Sequence, residues 1–159
     1  MERPVSDMHS LMEKVLNSSL NGLYIYDLQE GVNIFINPQY TKITGYTLQD
    51  INSLSEPELF ALFHPEDHAS VLRHVEAINR SADGDILEIE YRFKTADGRW
   101  IWCLSWDTVI DRSNNGEALR FLGTFLDITH RKNNNRFNYT CKKRMCNIRI
   151  LHYFWFCHR

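Results

Sequence analysis

The sequence predicts an α+β fold built on a mainly antiparallel sheet. Three observations point there. Leu87, Ile89, Tyr91 and Phe93 alternate with Glu88, Glu90, Arg92 and Lys94, the period of a half-buried strand. Two turn signals, Asp97-Gly98 and Asn114-Asn115-Gly116, join that segment to two further β-prone runs as a meander. Two earlier β-prone runs are separated from the meander by segments of helical character, and strands in two groups around a helical insert indicate α+β.

In chain order, Ser6 or Asp7 is placed to cap a first helix in which Met8, Leu11, Met12, Val15, Leu16 and Ser19 share a face, with Asn21-Gly22 ending it. Strands are expected at Leu23–Asp27 and Val32–Asn37, turning at Gln29-Glu30-Gly31. Asn37-Pro38 reads as an N-cap with proline at the first helical position, and the short helix through Thr44 is closed by Gly45. His64-Pro65-Glu66-Asp67 starts a longer helix, its two acids set against the positive end of the dipole. That helix presents Val71, Leu72, Val75 and Ile78 on one face and Arg73, Glu76 and Arg80 on the other. The return strand of the meander is expected at Arg99–Asp111 and the final strand at Leu119–Ile128.

The 159 residues fit one ordinary domain, and a 43% hydrophobic, 13% aromatic composition argues for a packed globule over a disordered chain. Charges within the first twenty residues interrupt any apolar signal region, and no stretch approaches the roughly 20 apolar residues of a membrane span. A soluble, cytoplasmic protein is expected. The net charge of −2 hides a division. Residues 1–132 carry 12 basic against 20 acidic side chains, whereas residues 133–159 carry 6 basic and no acidic ones. Cysteine divides likewise, with Cys103 in the first part and Cys141, Cys146 and Cys157 in the second. A single cysteine in 132 residues leaves no disulfide framework, which suits a reducing compartment.

The strand faces are unequal. Trp100, Trp102, Leu104 and Trp106 share one face of the return strand, and Cys103, Ser105 and Asp107 share the other. In the final strand Leu122, Leu126 and Ile128 oppose Phe121, Gly123 and Phe125. Both faces of the sheet therefore need cover. The inserted helices can cover one; the first helix or a second copy of the chain is expected over the other. The small side chains of Cys103, Ser105 and Gly123 leave room for a cavity or for neighbouring aromatic rings to fill.

Val32-Asn33-Ile34-Phe35-Ile36-Asn37-Pro38 with Thr44-Gly45-Tyr46, then His64-Pro65-Glu66-Asp67, then Tyr91-Arg92-Phe93 with Asp97-Gly98-Arg99-Trp100, follow one another along the chain. In this order they resemble the PAS/PAC sensory-box family of bacterial-type signalling proteins. Gly123-Thr124-Phe125-Leu126-Asp127-Ile128-Thr129, leading to Arg131-Lys132, is similar to the family's terminal signalling motif. The resemblance implies a PAS fold: a five-stranded antiparallel sheet with short helices on its concave face and an N-terminal flanking amphipathic helix. Residues 1–20 would be that flanking helix, 21–132 the sensory domain and 133–159 a tail outside the fold.

By the same resemblance, the concave face would receive Tyr24, Tyr26, Tyr91, Phe93, Cys103, Ser105 and Phe125, with Tyr40, Ile43 and Val75 from the helices. Output would leave through Asp127, Ile128 and Thr129, with Arg99 as the charge partner of Asp127. The implied role is a sensory or regulatory module that binds a small molecule, dimerises, or both, coupled to a histidine kinase or cyclic-di-GMP effector such as a diguanylate cyclase. Alternatives are a haem-binding gas or redox sensor and a ligand-free interaction scaffold. No cofactor is expected. A photoactive flavin domain of the family needs a reactive cysteine on the helical side, and residues 38–85 contain none. Haem would need an axial ligand, for which His74 and His68 both flank the apolar face of their helix, while His64 reads as a loop residue. A homodimer is the expected assembly, with neither nucleic acid nor membrane as a partner.

Catalysis finds no support, because residues 1–132 hold no phosphate loop, no nucleotide-binding glycine fingerprint and no metal-ligand cluster. Cys141-x4-Cys146 with Cys157-His158 matches no common zinc spacing. The abrupt change of charge, cysteine and asparagine content after Lys132 reads as out-of-frame or foreign sequence following the domain, and Tyr153–Phe156 as an aggregation hazard.

Overall fold

Residues 5–134 are described by the structure, a computed structural model. The tail motifs at Cys141, Cys146, Tyr153–Phe156, Cys157 and His158 lie outside the described residues. Helix α1 runs Val5–Asn17, so Ser6 and Asp7 fall inside the helix rather than at its cap; helix ends shift by a residue or two around a candidate cap. Strands β1 (Gly22–Asp27) and β2 (Val32–Ile36) follow, then α2 (Pro38–Thr44), α3 (Leu48–Ser53) and α4 (Glu56–Phe60). Pro65–Asp67 forms a tight 3-10 turn, so the longer helix α5 starts at His68 and ends at Arg80. The meander is β3 (Leu87–Lys94), β4 (Trp100–Arg112) and β5 (Ala118–Asp127). Residues 129–134 are helical. No helix of the described residues is long and apolar enough to cross a membrane.

The five strands form one antiparallel sheet in the order β2-β1-β5-β4-β3. The last strand in sequence thus sits in the centre, bonded to β1 and β4. Register places Tyr24 opposite Gly123, Tyr91 opposite Cys103 and Cys103 opposite Asp127. Strand parity then gathers Tyr24, Tyr91, Phe93, Cys103, Asp107, Phe121 and Phe125 on one face.

Asn37 ties the first elements together. Its Oδ1 accepts from the Tyr40 N–H at 2.9 Å as the N-cap of α2 and from the Leu23 N–H at 2.8 Å at the start of β1. Its Nδ2 donates to the carbonyls of Leu16 (3.2 Å) and Asn21 (3.0 Å). All this happens at a residue only 1% exposed, so each bond replaces a hydration that the fold has removed. Helix α2 closes at Gly45 with φ of +81°, and a Cβ there would lie 2.9 Å from that of Ala96.

The start of α5 is pinned to the edge strand. Arg92 on β3 donates from Nε (2.9 Å) and Nη2 (2.8 Å) to the two carboxylate oxygens of Asp67, and its backbone N–H reaches the same carboxylate at 2.9 Å. This forked, charge-assisted pair holds the Asp67 carboxyl below the usual range. The Arg92 guanidinium also lies 5.0 Å from the centre of the Trp102 ring on the outer face.

The outer face is only partly covered. Leu104 is buried, whereas Trp100 and Leu126 remain exposed. Helix α1 leaves its own stripe open, with Met8, Leu11, Met12 and Val15 each between 45% and 60% exposed, so it does not supply the cover expected of it.

Candidate functional site

Between the inner face of the sheet and helices α2, α4 and α5 lies a cavity of about 270 Å³. Eight of the ten residues expected there line it: Tyr24, Tyr26, Tyr40, Val75, Tyr91, Phe93, Cys103 and Phe125. Two do not. Ile43 is half-buried and packs on the core, because Tyr40 and Thr44, one turn apart, take the positions of α2 that face the cavity. Ser105 has the right parity but is fully buried beneath larger neighbours, its hydroxyl 3.3 Å from the Thr124 carbonyl and 3.4 Å from both Asp107 oxygens.

Aromatic packing uses some of the room left by small residues. The Tyr24 ring lies over Gly123 where a Cβ would stand, and Tyr40 meets the Phe125 ring edge-on at 5.4 Å. Phe60 and Phe63, from α4 and the turn after it, add rings that strand periodicity could not place.

The polar end of the cavity is centred on Asp107. Its Oδ1 accepts from the Tyr24 hydroxyl at 2.8 Å, and its Oδ2 lies 2.7 Å from His74 Nε2. The Asp107 and His74 side chains are 2% and 12% exposed. Burial, with Asp107 alongside, pushes the Tyr24 hydroxyl well above the ordinary phenol range, and burial does the same for Tyr91. Burial also raises the Cys103 thiol, which makes it a poor nucleophile. Asp107 was legible only as a charge on an otherwise aromatic and small-residue strand face.

His74 therefore lines the cavity with Nε2 engaged. His68 does not line it; its Nε2 lies 2.9 Å from the Phe63 carbonyl and its ring stacks on Phe60 at 4.2 Å. A 150 Å³ cavity admits one benzene, so 270 Å³ holds about ten non-hydrogen atoms. That is far short of a porphyrin or a flavin, and the residues present do not fit either group as the chain is folded here. His64 caps the 3-10 turn, accepting from the Glu66 N–H at 3.3 Å, and meets Trp100 edge-on.

At the output end, Arg99 pairs with Asp97 at 2.7 Å across its own turn. The register explains why it does not meet Asp127: β5 ends opposite Cys103, four residues, or roughly 13 Å of strand, short of Arg99. The expected Arg99–Asp127 pair is thus replaced by a local one.

The family described as PAS fold matches residues 33–125. The chain belongs to the PAS family. Among solved PAS-type structures, a sensory box histidine kinase/response regulator from Burkholderia thailandensis is 24% identical, with 86% of this chain and 98% of that chain covered and a TM-score of 0.66. The N-terminal domain of a diguanylate cyclase with PAS/PAC sensor from Marinobacter aquaeolei is 23% identical over 70% of this chain and 98% of that chain, with a TM-score of 0.57. A PAS domain from Colwellia psychrerythraea is 22% identical over 78% and 99%, with a TM-score of 0.61. At such identities the likeness establishes the fold. No curated protein matches the chain.

Proposed function

We propose that this PAS domain is the input module of a signalling protein, binding a small molecule in its cavity and conveying the change along β4 and β5. The observation that carries this reading is the cavity itself, walled by Cys103 and Asp107 of β4 and Phe121 and Phe125 of β5. Cys103 stands directly opposite Asp127, so a ligand pressing on the wall acts on the strand pair next to the Asp127-Ile128-Thr129 exit. A histidine kinase or diguanylate cyclase is the effector proposed, by analogy with the sensor proteins that share the fold. The domain itself performs no catalysis in this reading. Native mass spectrometry of protein purified from its expression host should reveal a bound small molecule, and Val75→Trp, which fills the cavity, should keep the fold by circular dichroism and lose the adduct. A full-length chain that carries no adduct and is not stabilised by any compound in a metabolite thermal-shift panel would overturn ligand sensing.

A second role, homodimerisation, is supported by the exposed stripe of Met8, Leu11, Met12 and Val15 on α1. A scaffold function without ligand would rest on that stripe alone.

A further inference from the structure

The chemistry of the cavity wall points to the class of ligand, an inference that rests on the ligand-sensing reading above. Two carboxylates line the cavity, Asp107 at its polar end and Glu56 exposed at its rim, and among the described residues neither Lys nor Arg lines it. His74 is the one lining group able to carry positive charge. Whichever state it takes beside Asp107, the wall stays formally negative. An anionic ligand would be opposed by Asp107, whose burial weakens screening, and to a lesser degree by the solvent-exposed Glu56.

The rest of the wall suits a cation. Nine aromatic residues line the cavity, and a ring face presented to an organic ammonium attracts it most strongly where water is excluded. One hydroxyl is also waiting for a partner. Tyr40 is 6% exposed and lines the cavity, and among the described residues nothing hydrogen-bonds its hydroxyl. Its hydroxyl oxygen can accept from an ammonium N–H.

We propose that the cavity takes a small organic cation: a protonated amine on an apolar body of about ten non-hydrogen atoms. The apolar body would pack among the rings, and the ammonium would lie toward Asp107 with the Tyr40 oxygen as an acceptor.

The test is calorimetric titration of the full chain with three probes of similar shape: phenethylamine, 2-phenylethanol and phenylacetate. The amine is expected to bind about tenfold more tightly than the alcohol, and phenylacetate more weakly than both. Asp107→Asn should abolish the preference for amine over alcohol. Should that variant fail to fold, Glu56→Gln at the exposed rim and Tyr40→Phe inside the wall should each narrow the preference. Equal or tighter binding of the alcohol or the acid overturns the cation assignment while leaving ligand sensing intact. Binding of none of the three also overturns it, and the native mass spectrum then reads the sensing role separately.

Discussion

His74 Nε2 stands 2.7 Å from Asp107 Oδ2, so α5 and β4 are joined by a hydrogen bond inside the cavity wall. Replacing His74 with Leu leaves a carboxylate that is 2% exposed with one strong partner fewer. The expected cost is about 1–3 kcal/mol, read as a lower denaturation midpoint. His74→Leu with Asp107→Leu should cost less than the two single changes added together, because the double variant leaves no buried charge behind. Strict additivity would show that the pair is not coupled.

Acid should unfold the domain partly through Asp67. Its carboxyl is lowered, first by the Arg92 side-chain bond. A carboxyl with a lowered folded value contributes stability that is full above its unfolded value and is lost as pH falls through the folded one. Asp67→Asn should therefore lower the melting temperature at neutral pH and flatten its fall as pH drops below about 4. Parallel melting curves for parent and variant across that range would remove Asp67 from the acid transition.

Asn37→Ala strips the cap of α2 and orphans the Leu23 N–H with the Leu16 and Asn21 carbonyls. The expected loss is about 2–4 kcal/mol, with new protease sensitivity around residues 17–22 as α1 is released. An unchanged proteolysis pattern would show that α1 is held by other contacts.

Asn37 also shows what the sequence could tell. Asn-Pro before a helix is a local signal, so its capping role was legible, whereas its bonds to Leu16 and Leu23 depend on the β1 position in the sheet. Strand parity likewise paired Tyr91 with Phe93, Cys103 with Ser105 and Asp107, and Phe121 with Phe125 within their own strands, and the resemblance to the PAS family set them on one face. Parity could not choose among Cys103, Ser105 and Asp107 for a place on the cavity wall, since side-chain size and the rings above settle that. Nor could it place Arg99, whose pairing depends on where β5 stops.

Gly123→Ala should displace Tyr24. The added Cβ would collide with the Tyr24 ring and approach Asp107 Oδ1 to 2.5 Å, so the ring must move and the Tyr24–Asp107 bond must lengthen or break. Destabilisation of about 1–3 kcal/mol is expected, with a changed near-ultraviolet tyrosine signal. A variant with parent stability and spectrum would mean that the ring yields without cost.

Leu11→Glu with Val15→Glu should shift sedimentation of the full chain toward monomer while leaving its circular dichroism unchanged, since both side chains are exposed in the single chain. Unaltered sedimentation would exclude this stripe as the dimer contact.

The central position of β5 limits the kind of movement that can travel along it. Sliding the strand by one residue past β1 and β4 would break both ladders and turn Phe121 and Phe125 out to water. Stepwise ratcheting is therefore barred by its own side chains. What remains is continuous deformation, a change of twist or tilt shared by three hydrogen-bonded strands. Under the ligand-sensing role proposed above, a domain wired through such a strand would behave like a torsion spring rather than a latch: its reading should grade with the size and fit of what is bound, and intermediate compounds should give intermediate outputs.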